Sequence, residues 1–373
     1  MVIAINTRIL SGDTAARKLL VSYFINIAGS NPTQQFYFIS EDNVFPASSL
    51  SNVKSIVVKQ QTANPLLWKL WYNYKLPSVL KKIKADVLVS ADSFCSLRTK
   101  LPQFVLVNDI EFLHNPEWYN KRYVSFIKTN MPVALQKAKN IITFSAFCKN
   151  EIAEKFKIEV EKITASSFGN NKKYHSINWE EREKIKEKYA EGNEYFLFNG
   201  AIHSRSNLTN LLKAFSQFKK RQKSSMQLIL LTDNIPAKNE FVDSLRSYKY
   251  RNEVKLISGM DEDEIFSITA AAWCAVNLSP LHSDIDFLQN ALSCEVPVIA
   301  GNSAQAKELL SDAALYANPA FVDTIAAQLM LVYKDENKRT ELIEKGKKLL
   351  HNNSVMENAG KLWHNLLHLQ PQQ

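Results

Sequence analysis

The sequence predicts an α/β protein of two doubly wound parallel-sheet domains. Three observations carry this. The chain has 373 residues, about two domains' worth. Short apolar runs alternate with stretches of helical periodicity along nearly all of it, the β-α-β-α order of a parallel sheet covered on both faces. A polar, charged stretch from Gly169 to Asn193 divides the two series, so residues 1–175 and 176–350 read as separate domains. The end of the chain, 351–373, reads as a closing helix that packs back on the first domain.

In the first half, strands are expected at Val2–Asn6, Gln35–Ser40, Val53–Val58, Val87–Ser90, Phe104–Val107 and Asn140–Phe144. Helices intervene, among them Ala15–Ala28, Trp68–Lys84 and Tyr119–Lys139, with apolar positions at helical spacing. The second half repeats the pattern. Strands are expected at Tyr195–Asn199, Gln227–Thr232, Val254–Ile257, Ala275–Leu278, Pro297–Ile299 and Ala314–Tyr316. The helices between them are Leu208–Lys220, Lys238–Tyr248, Glu262–Ala272, Phe287–Cys294, Ala304–Leu310 and Val322–Tyr333, and Lys338–His368 closes the series. In doubly wound sheets ligands sit at the carboxyl ends of strands, so the expected site lies there, in a cleft between the domains.

Composition narrows the function. Hydrophobic residues make up 46% of the chain and charged residues 22%, enough apolar material for two cores and too little polarity for disorder. The formal net charge of +9 suits anionic ligands: sugar nucleotides, nucleic acid or an acidic membrane surface. Nucleic acid is the weakest of these, because no RNA-binding or zinc-finger signature is present. Cys95, Cys148, Cys274 and Cys294 are far apart and form no C-x-x-C pair, which argues against zinc and dithiol redox chemistry. They read as small buried hydrophobes in a reducing compartment. The amino terminus lacks the apolar length of a signal peptide, and no apolar run reaches the roughly 18 residues of a membrane span. A cytoplasmic protein is expected. Leu66-Leu-Trp-Lys-Leu-Trp-Tyr-Asn-Tyr-Lys-Leu76 mixes aromatics with lysines. It reads first as a helix packed on the sheet, and second as a peripheral contact with the inner membrane face.

The most informative stretch is Tyr195-Phe-Leu-Phe-Asn-Gly-Ala-Ile-His-Ser-Arg-Ser-Asn207. It reads as a buried strand, a glycine turn and a polar loop that opens an amphipathic helix. Such an opening aims backbone N–H groups and the positive end of a helix dipole at an anion. Gly200 permits close backbone approach, and Arg205 adds a forked cation suited to a diphosphate. His203 in this loop is as readily a surface residue as a ligand, and the lone His114 and His282 read first as ordinary packing or surface residues.

Several segments together resemble one family. Asn199-Gly200-Ala-Ile-His-Ser-Arg-Ser-Asn-Leu208 resembles the V-G-x-x-x-P-R-K-N-L loop of the family-4 glycosyltransferases, which have the GT-B fold. Phe287-Leu-Gln-Asn-Ala-Leu-Ser-Cys-Glu-Val-Pro-Val-Ile-Ala300 resembles their P-L-E-A-x-A-C-G-x-P-V-I-A segment, and Ala304 to Pro319 resembles the P-E-V-x-G-D-A-A-L-x-x-D-P that follows. In the first half, Phe104 to Pro116 resembles V-x-V-I-H-D-x-x-F-x-x-x-P, and Ile141 to Lys149 resembles I-x-T-V-S-x-F-S-K. The likeness is collinear over nearly the whole chain.

The resemblance implies transfer of a sugar from a nucleotide-sugar donor to a saccharide or lipid-linked saccharide, with retention at the anomeric carbon, no metal and no cofactor. It places the donor in the C-terminal domain and the acceptor in the N-terminal domain. Carried over residue by residue, Arg205 and Ser206 meet the diphosphate with Gly200. Gln289 meets the ribose beside Leu288 and His282. Ser258, Gly259 and Met260 line the base. Gly12 belongs to the first loop, and Asn108 and Asp109 face the acceptor. Arg205, Asn108 and Asp109 are the catalytic candidates.

The sequence departs from the pattern at several of these positions. Ser206 stands where the family has lysine, Gln289 where it has the second glutamate of E-x7-E, and Asn108 where it has histidine. Leu281 or, with a two-residue deletion, Ser283 falls at the first glutamate. Ser283-Asp-Ile-Asp286 replaces a G-F-G turn, and Asp284 and Asp286 are the candidates to replace the lost carboxylate. The first loop, Leu10–Thr14, keeps one glycine. Losing a lysine and a carboxylate without compensation removes about 3–6 kcal/mol of transition-state stabilisation. The departures therefore admit a second reading, a catalytically impaired relative that binds a glycan, nucleotide or partner protein. A third, an epimerase of the same fold, is disfavoured by the lost carboxylates.

Overall fold

The computed structural model describes residues 1–9, 14–41, 50–59, 64–166, 171, 173–280 and 282–351. The chain divides into two compact units between Phe168 and Gly169. The expected terminal helix Lys338–His368 is present over Glu336–His351, and residues 352–373, with the closing segment expected to pack on the first domain, lie outside the described residues.

The N-terminal unit holds a seven-stranded sheet. Its strands are β1 (Val2–Asn6), β2 (Gln35–Ser40), β3 (Val53–Val57), β4 (Val87–Ser90), β5 (Gln103–Val107), β6 (Asn140–Thr143) and β7 (Ile163–Ala165). The order is β3-β2-β1-β4-β5-β6-β7, and every pairing is parallel. Alternation of side chains along each strand feeds two cores. Ala4, Leu88, Val105 and Ile141 face a layer built on Trp68, Trp71, Tyr72 and Phe126. Ile3, Ile5, Phe36, Val89 and Leu106 face Leu20, Phe24 and Ile27 of the helix Thr14–Ser30.

The aromatic–lysine stretch belongs to the first of those cores. Helices Pro65–Leu70 and Leu76–Lys82 are joined by one π turn, Trp71–Lys75. The Leu76 N–H reaches back to the Trp71 carbonyl, the wide turn that accommodates Pro77 without breaking the rod. Trp71 and Tyr72 are fully buried, and Trp68 meets Phe126 edge to face at 5.1 Å. Leu66, Leu70 and Tyr74 are the large hydrophobics this stretch leaves exposed, beside Lys69 and Lys75. Among the described residues no helix is long and apolar enough to cross a membrane.

The C-terminal unit holds a six-stranded parallel sheet: β8 (Tyr195–Asn199), β9 (Gln227–Thr232), β10 (Val254–Ser258), β11 (Cys274–Asn277), β12 (Val298–Gly301) and β13 (Ala314–Ala317). The order is β10-β9-β8-β11-β12-β13. One face packs Leu197, Ile229, Ala275 and Val298 against Ile268, Leu288 and Leu309. The other packs Phe196, Leu228, Val276 and Ile299 against Leu211, Phe215, Phe218 and Leu329. Gly301 ends β12 where a Cβ would come within 2.6 Å of the Leu278 carbonyl oxygen, so the tight seam between β11 and β12 requires glycine.

The polar divider is not featureless. It contains the helix Trp179–Ala190, opened by a reciprocal cap in which Asn178 and Glu181 each take the other's backbone N–H. That signature is present in the sequence, but the many charged residues conceal a helix that packs only Ile185, Tyr189 and Ala190 on the core. Arg182 Nη2 and Lys186 Nζ both reach Glu194, at 3.0 and 2.9 Å. The strand Ile163–Ala165 and the helix Ala146–Phe156 were also not anticipated, being a three-residue edge strand and a weakly amphipathic helix.

The packing of the aromatic–lysine stretch rests on buried Trp71 and not on exposed Leu66. Trp71→Ala should cost about 3–5 kcal/mol of unfolding free energy, whereas Leu66→Ala should stay within about 0.5 kcal/mol. Urea unfolding followed by fluorescence measures both.

Candidate functional site

A doubly wound sheet opens a crevice where the strand order reverses, because successive crossovers leave on opposite faces. In the C-terminal unit that point lies between β8 and β11, which pair directly. The polar residues collect there. β8 ends in Asn199-Gly200, and the Gly200 N–H is held by the Leu231 carbonyl at 3.1 Å. A Cβ on Gly200 would lie 3.0 Å from the Phe198 ring and 3.5 Å from both Asn277 Nδ2 and Asp284 Oδ1. The Phe198 ring would have to give way to a Cβ there, while Asn277 and Asp284 would stand in ordinary contact with it.

The chain then makes a single 3-10 turn, Ser204–Ser206, and enters the helix Leu208–Gln222. Asn207, the residue before the helix, is left-handed at φ 52°, a conformation asparagine tolerates better than most. Asparagine is among the best helix caps, yet here it caps nothing. Its amide turns back to the Arg205 carbonyl at 3.0 Å and leaves the first helical N–H groups to other acceptors. Ser206 is buried and donates its hydroxyl to the Ala201 carbonyl at 2.7 Å, which pins the loop. Arg205 is nearly buried, with its Nε 3.9 Å from the carboxylate of Asp284.

Asn277, the last residue of β11, was not singled out from sequence. It bridges the reversal point, donating to the Asn199 carbonyl at 3.2 Å and accepting from the Ser279 N–H at 3.0 Å. The available signal was a lone asparagine closing the apolar run Cys274-Ala-Val-Asn277.

The helix His282–Ser293 supplies the other wall. The side chain of Gln289 is buried, its amide donates weakly to the Leu309 carbonyl at 3.4 Å, and its Oε1 has no partner among the described residues. An unused acceptor fits the ribose contact expected of it. Leu288, expected beside the donor, is instead fully buried among the core side chains, so it supports this helix through packing. His282 opens the helix, but its side chain, like Leu281 and Gly12, lies outside the described residues.

Asp286 lies two positions beyond Asp284 and meets Asn290 at 3.2 Å. Burial pushes its carboxyl up to about 7, against the smaller opposing pull of the Asn290 amide. Ser258 ends β10 beside Thr232 of β9, Gly259 follows at φ 75°, and Met260 packs on the core edge. These three stand at the carboxyl end of the sheet, two strands from Gly200.

In the N-terminal unit Asp109 performs a turn-forming task. Its Oδ1 accepts the Glu111 N–H at 3.0 Å and the Tyr119 hydroxyl at 2.8 Å. Asn108 donates to the Ala91 carbonyl at 3.1 Å and ties the ends of β4 and β5 together. The sheet of this unit reverses between β1 and β4, and a polar cluster that sequence reading missed sits there. Asn6 donates to Ser90 Oγ at 3.1 Å and to the Tyr72 hydroxyl at 3.3 Å, and Tyr72 donates to Asp92 at 3.0 Å. Arg8 is buried over the Trp71 ring and paired with Glu41 at 2.9 Å. All four cysteines are buried thiols; burial pushes those of Cys95, Cys148 and Cys294 up to about 12, so they act as packing groups.

Residues 180–349, which include the Gly200 turn, Arg205 and the helix bearing Gln289, match the family described as glycosyl transferases group 1. The C-terminal unit is a glycosyl transferases group 1 domain. This glycosyltransferase domain continues into wider likenesses. O-antigen chain mannosyltransferase B of Escherichia coli is 24% identical over 233 residues, 62% of this chain and 61% of that protein's length. O-antigen chain mannosyltransferase RfbU of Salmonella typhimurium is 22% identical over 284 residues, 73% of this chain and 72% of its own. Among solved structures, Anabaena HepE in complex with UDP and glucose superposes with a TM-score of 0.77 at 14% identity, covering 99% of this chain and 100% of its own. The full-length likeness shows the GT-B fold, as the resemblance implied.

Two stability measurements check the local geometry. Asp286 binds its proton more tightly folded than unfolded, so its stabilising effect is complete below about pH 4 and is lost as pH rises toward about 7. Asp286→Asn should flatten that part of the thermal-stability profile. At the left-handed position, Asn207→Gly should hold the melting temperature, while Asn207→Val should cost about 1–2 kcal/mol; differential scanning calorimetry reads both.

Proposed function

We propose that this protein is a retaining glycosyltransferase that moves a sugar from a nucleotide-sugar donor to a saccharide or lipid-linked saccharide. The observation that carries the reading is the loop from Gly200 to Leu208 at the reversal point of the C-terminal sheet. A glycine permits close approach, Arg205 supplies a nearly buried cation, and a fifteen-residue helix opens with its own cap turned away.

In glycosyl transfer the bond between the anomeric carbon and the diphosphate breaks, and its electrons leave with the diphosphate. The acceptor oxygen bonds to that carbon on the same face and passes its proton to the departing diphosphate oxygen. Charge grows on the leaving group, so the useful protein groups are donors placed where that charge develops. Arg205 and the first N–H groups of the helix Leu208–Gln222 are such donors. This arrangement needs no metal or cofactor. Gln289 Oε1 accepts a ribose hydroxyl, and Ser258, Gly259 and Met260 line the base. The acceptor belongs to the N-terminal unit, where Asn108 and Asp109 stand with the polar cluster at the ends of β1 and β4.

Two bacterial relatives are named for mannose transfer to the O-antigen chain. On that basis mannose is the first donor sugar to try and a saccharide chain the first acceptor. A purely binding role gains no support from these names. Location at the inner face of the membrane remains part of the proposal for a lipid-linked acceptor, served by Lys69 and Lys75 around the exposed Leu70 and Tyr74.

The test is a thermal-shift screen against UDP-, GDP- and ADP-sugars. One nucleotide class should raise the melting temperature, and Arg205→Ala should reduce that binding by about 1.5–3 kcal/mol, on the order of ten- to a hundredfold. If Arg205→Ala binds every nucleotide sugar as the parent does, the assignment of Arg205 to the diphosphate fails.

A further inference from the structure

We infer that Asp284 is a resident counter-anion of the donor site, holding Arg205 neutralised while the site is empty and favouring release of the nucleoside diphosphate after transfer. The inference rests on the assignment of Arg205 to the diphosphate.

The helix His282–Ser293 begins with an acidic segment where the family pattern has a glycine turn. That substitution brings Asp284 against two groups the donor needs. Its Oδ2 lies 3.9 Å from Arg205 Nε, with side-chain exposures of 4% and 11%. Its Oδ1 lies 3.5 Å from where a Cβ on Gly200 would be, so the carboxylate rests against the very turn that lets a phosphate approach the backbone. A guanidinium this far from water is costly without a counter-charge, and Asp284 supplies one. An arriving diphosphate brings negative charge to the same few ångströms. It must take the place of Asp284 at Arg205 or bind against its repulsion.

The repulsion is not equal for substrate and product. In a nucleotide sugar the terminal phosphate is esterified; once the sugar has left, that phosphate can carry one more negative charge at neutral pH. Asp284 therefore opposes the product more than the donor. It weakens ground-state affinity for both and hastens departure of the one that would otherwise remain bound to Arg205.

Titration calorimetry with GDP, UDP, ADP, GDP-mannose, UDP-glucose and ADP-glucose, on the parent, Asp284→Asn, Arg205→Ala and the double variant, tests this, with circular dichroism confirming the fold of each. Asp284→Asn should bind the matching nucleoside diphosphate at least about tenfold tighter, and its nucleotide sugar tighter by a smaller factor. The gain should vanish when Arg205 is also replaced. Binding by Asp284→Asn where the parent shows none would support the inference in a stronger form. Equal or weaker binding by Asp284→Asn, with Arg205→Ala impaired, would overturn it, because Asp284 would then serve to position Arg205 or to contact the sugar. Arg205→Ala binding like the parent, or no binding by any form, would overturn the diphosphate assignment and this inference with it.

Discussion

Where a parallel sheet reverses its winding, the chain leaves two neighbouring strands in opposite directions and a crevice opens at their carboxyl ends. In the C-terminal unit those strands are β8 and β11, and the polar chemistry depends on their adjacency. Asn277 spans the gap to Asn199, Gly200 turns without a side chain in the way, and the helix Leu208–Gln222 is delivered with its positive end at the crevice. None of these groups would meet in a different strand order. Two apolar layers hold the order in place: Leu197 and Val298 face one, Phe196 and Ile299 the other.

The same constraint acts in the N-terminal unit, between β1 and β4. There too an asparagine closes a central strand and bonds to its neighbour, Asn6 to Ser90. The cluster around it is more densely polar, with Arg8, Tyr72 and Asp92 buried together. Buried polar groups are retained at a cost, and here they lie where doubly wound sheets place ligands. Asp109 plays a quieter part than its position in the sequence motif implies. Its carboxylate shapes the turn before Tyr119, so any contact with an acceptor must share that oxygen or use the other.

Much of this was legible in the sequence because the signals were strong and local. Nearly every anticipated central strand is present to within a residue, since continuous apolar runs such as Phe196–Phe198 and Leu228–Leu231 have few alternatives in a covered sheet. The Gly200 loop was legible because glycine, arginine and an amphipathic helix follow one another directly. What escaped depends on distant pairing. The contact of Arg205 with Asp284 joins residues far apart in the chain. The burial of Arg8 over Trp71 likewise could not be read from either residue alone. Leu288 was placed at the site by motif alignment, but its helical phase turns it into the core. The helix Trp179–Ala190 was passed over because its few core-packing residues, Ile185, Tyr189 and Ala190, are outnumbered by charged ones and leave no continuous apolar stripe.

The central claim is that the donor's diphosphate binds at the β8–β11 reversal. Hydrogen–deuterium exchange, with and without the nucleotide sugar that the protein binds, tests it most directly. The account predicts slowed exchange at the amides of residues 200–210 and 277–286, with little change elsewhere in the C-terminal sheet. Protection confined to other segments, with these amides unchanged, would contradict it.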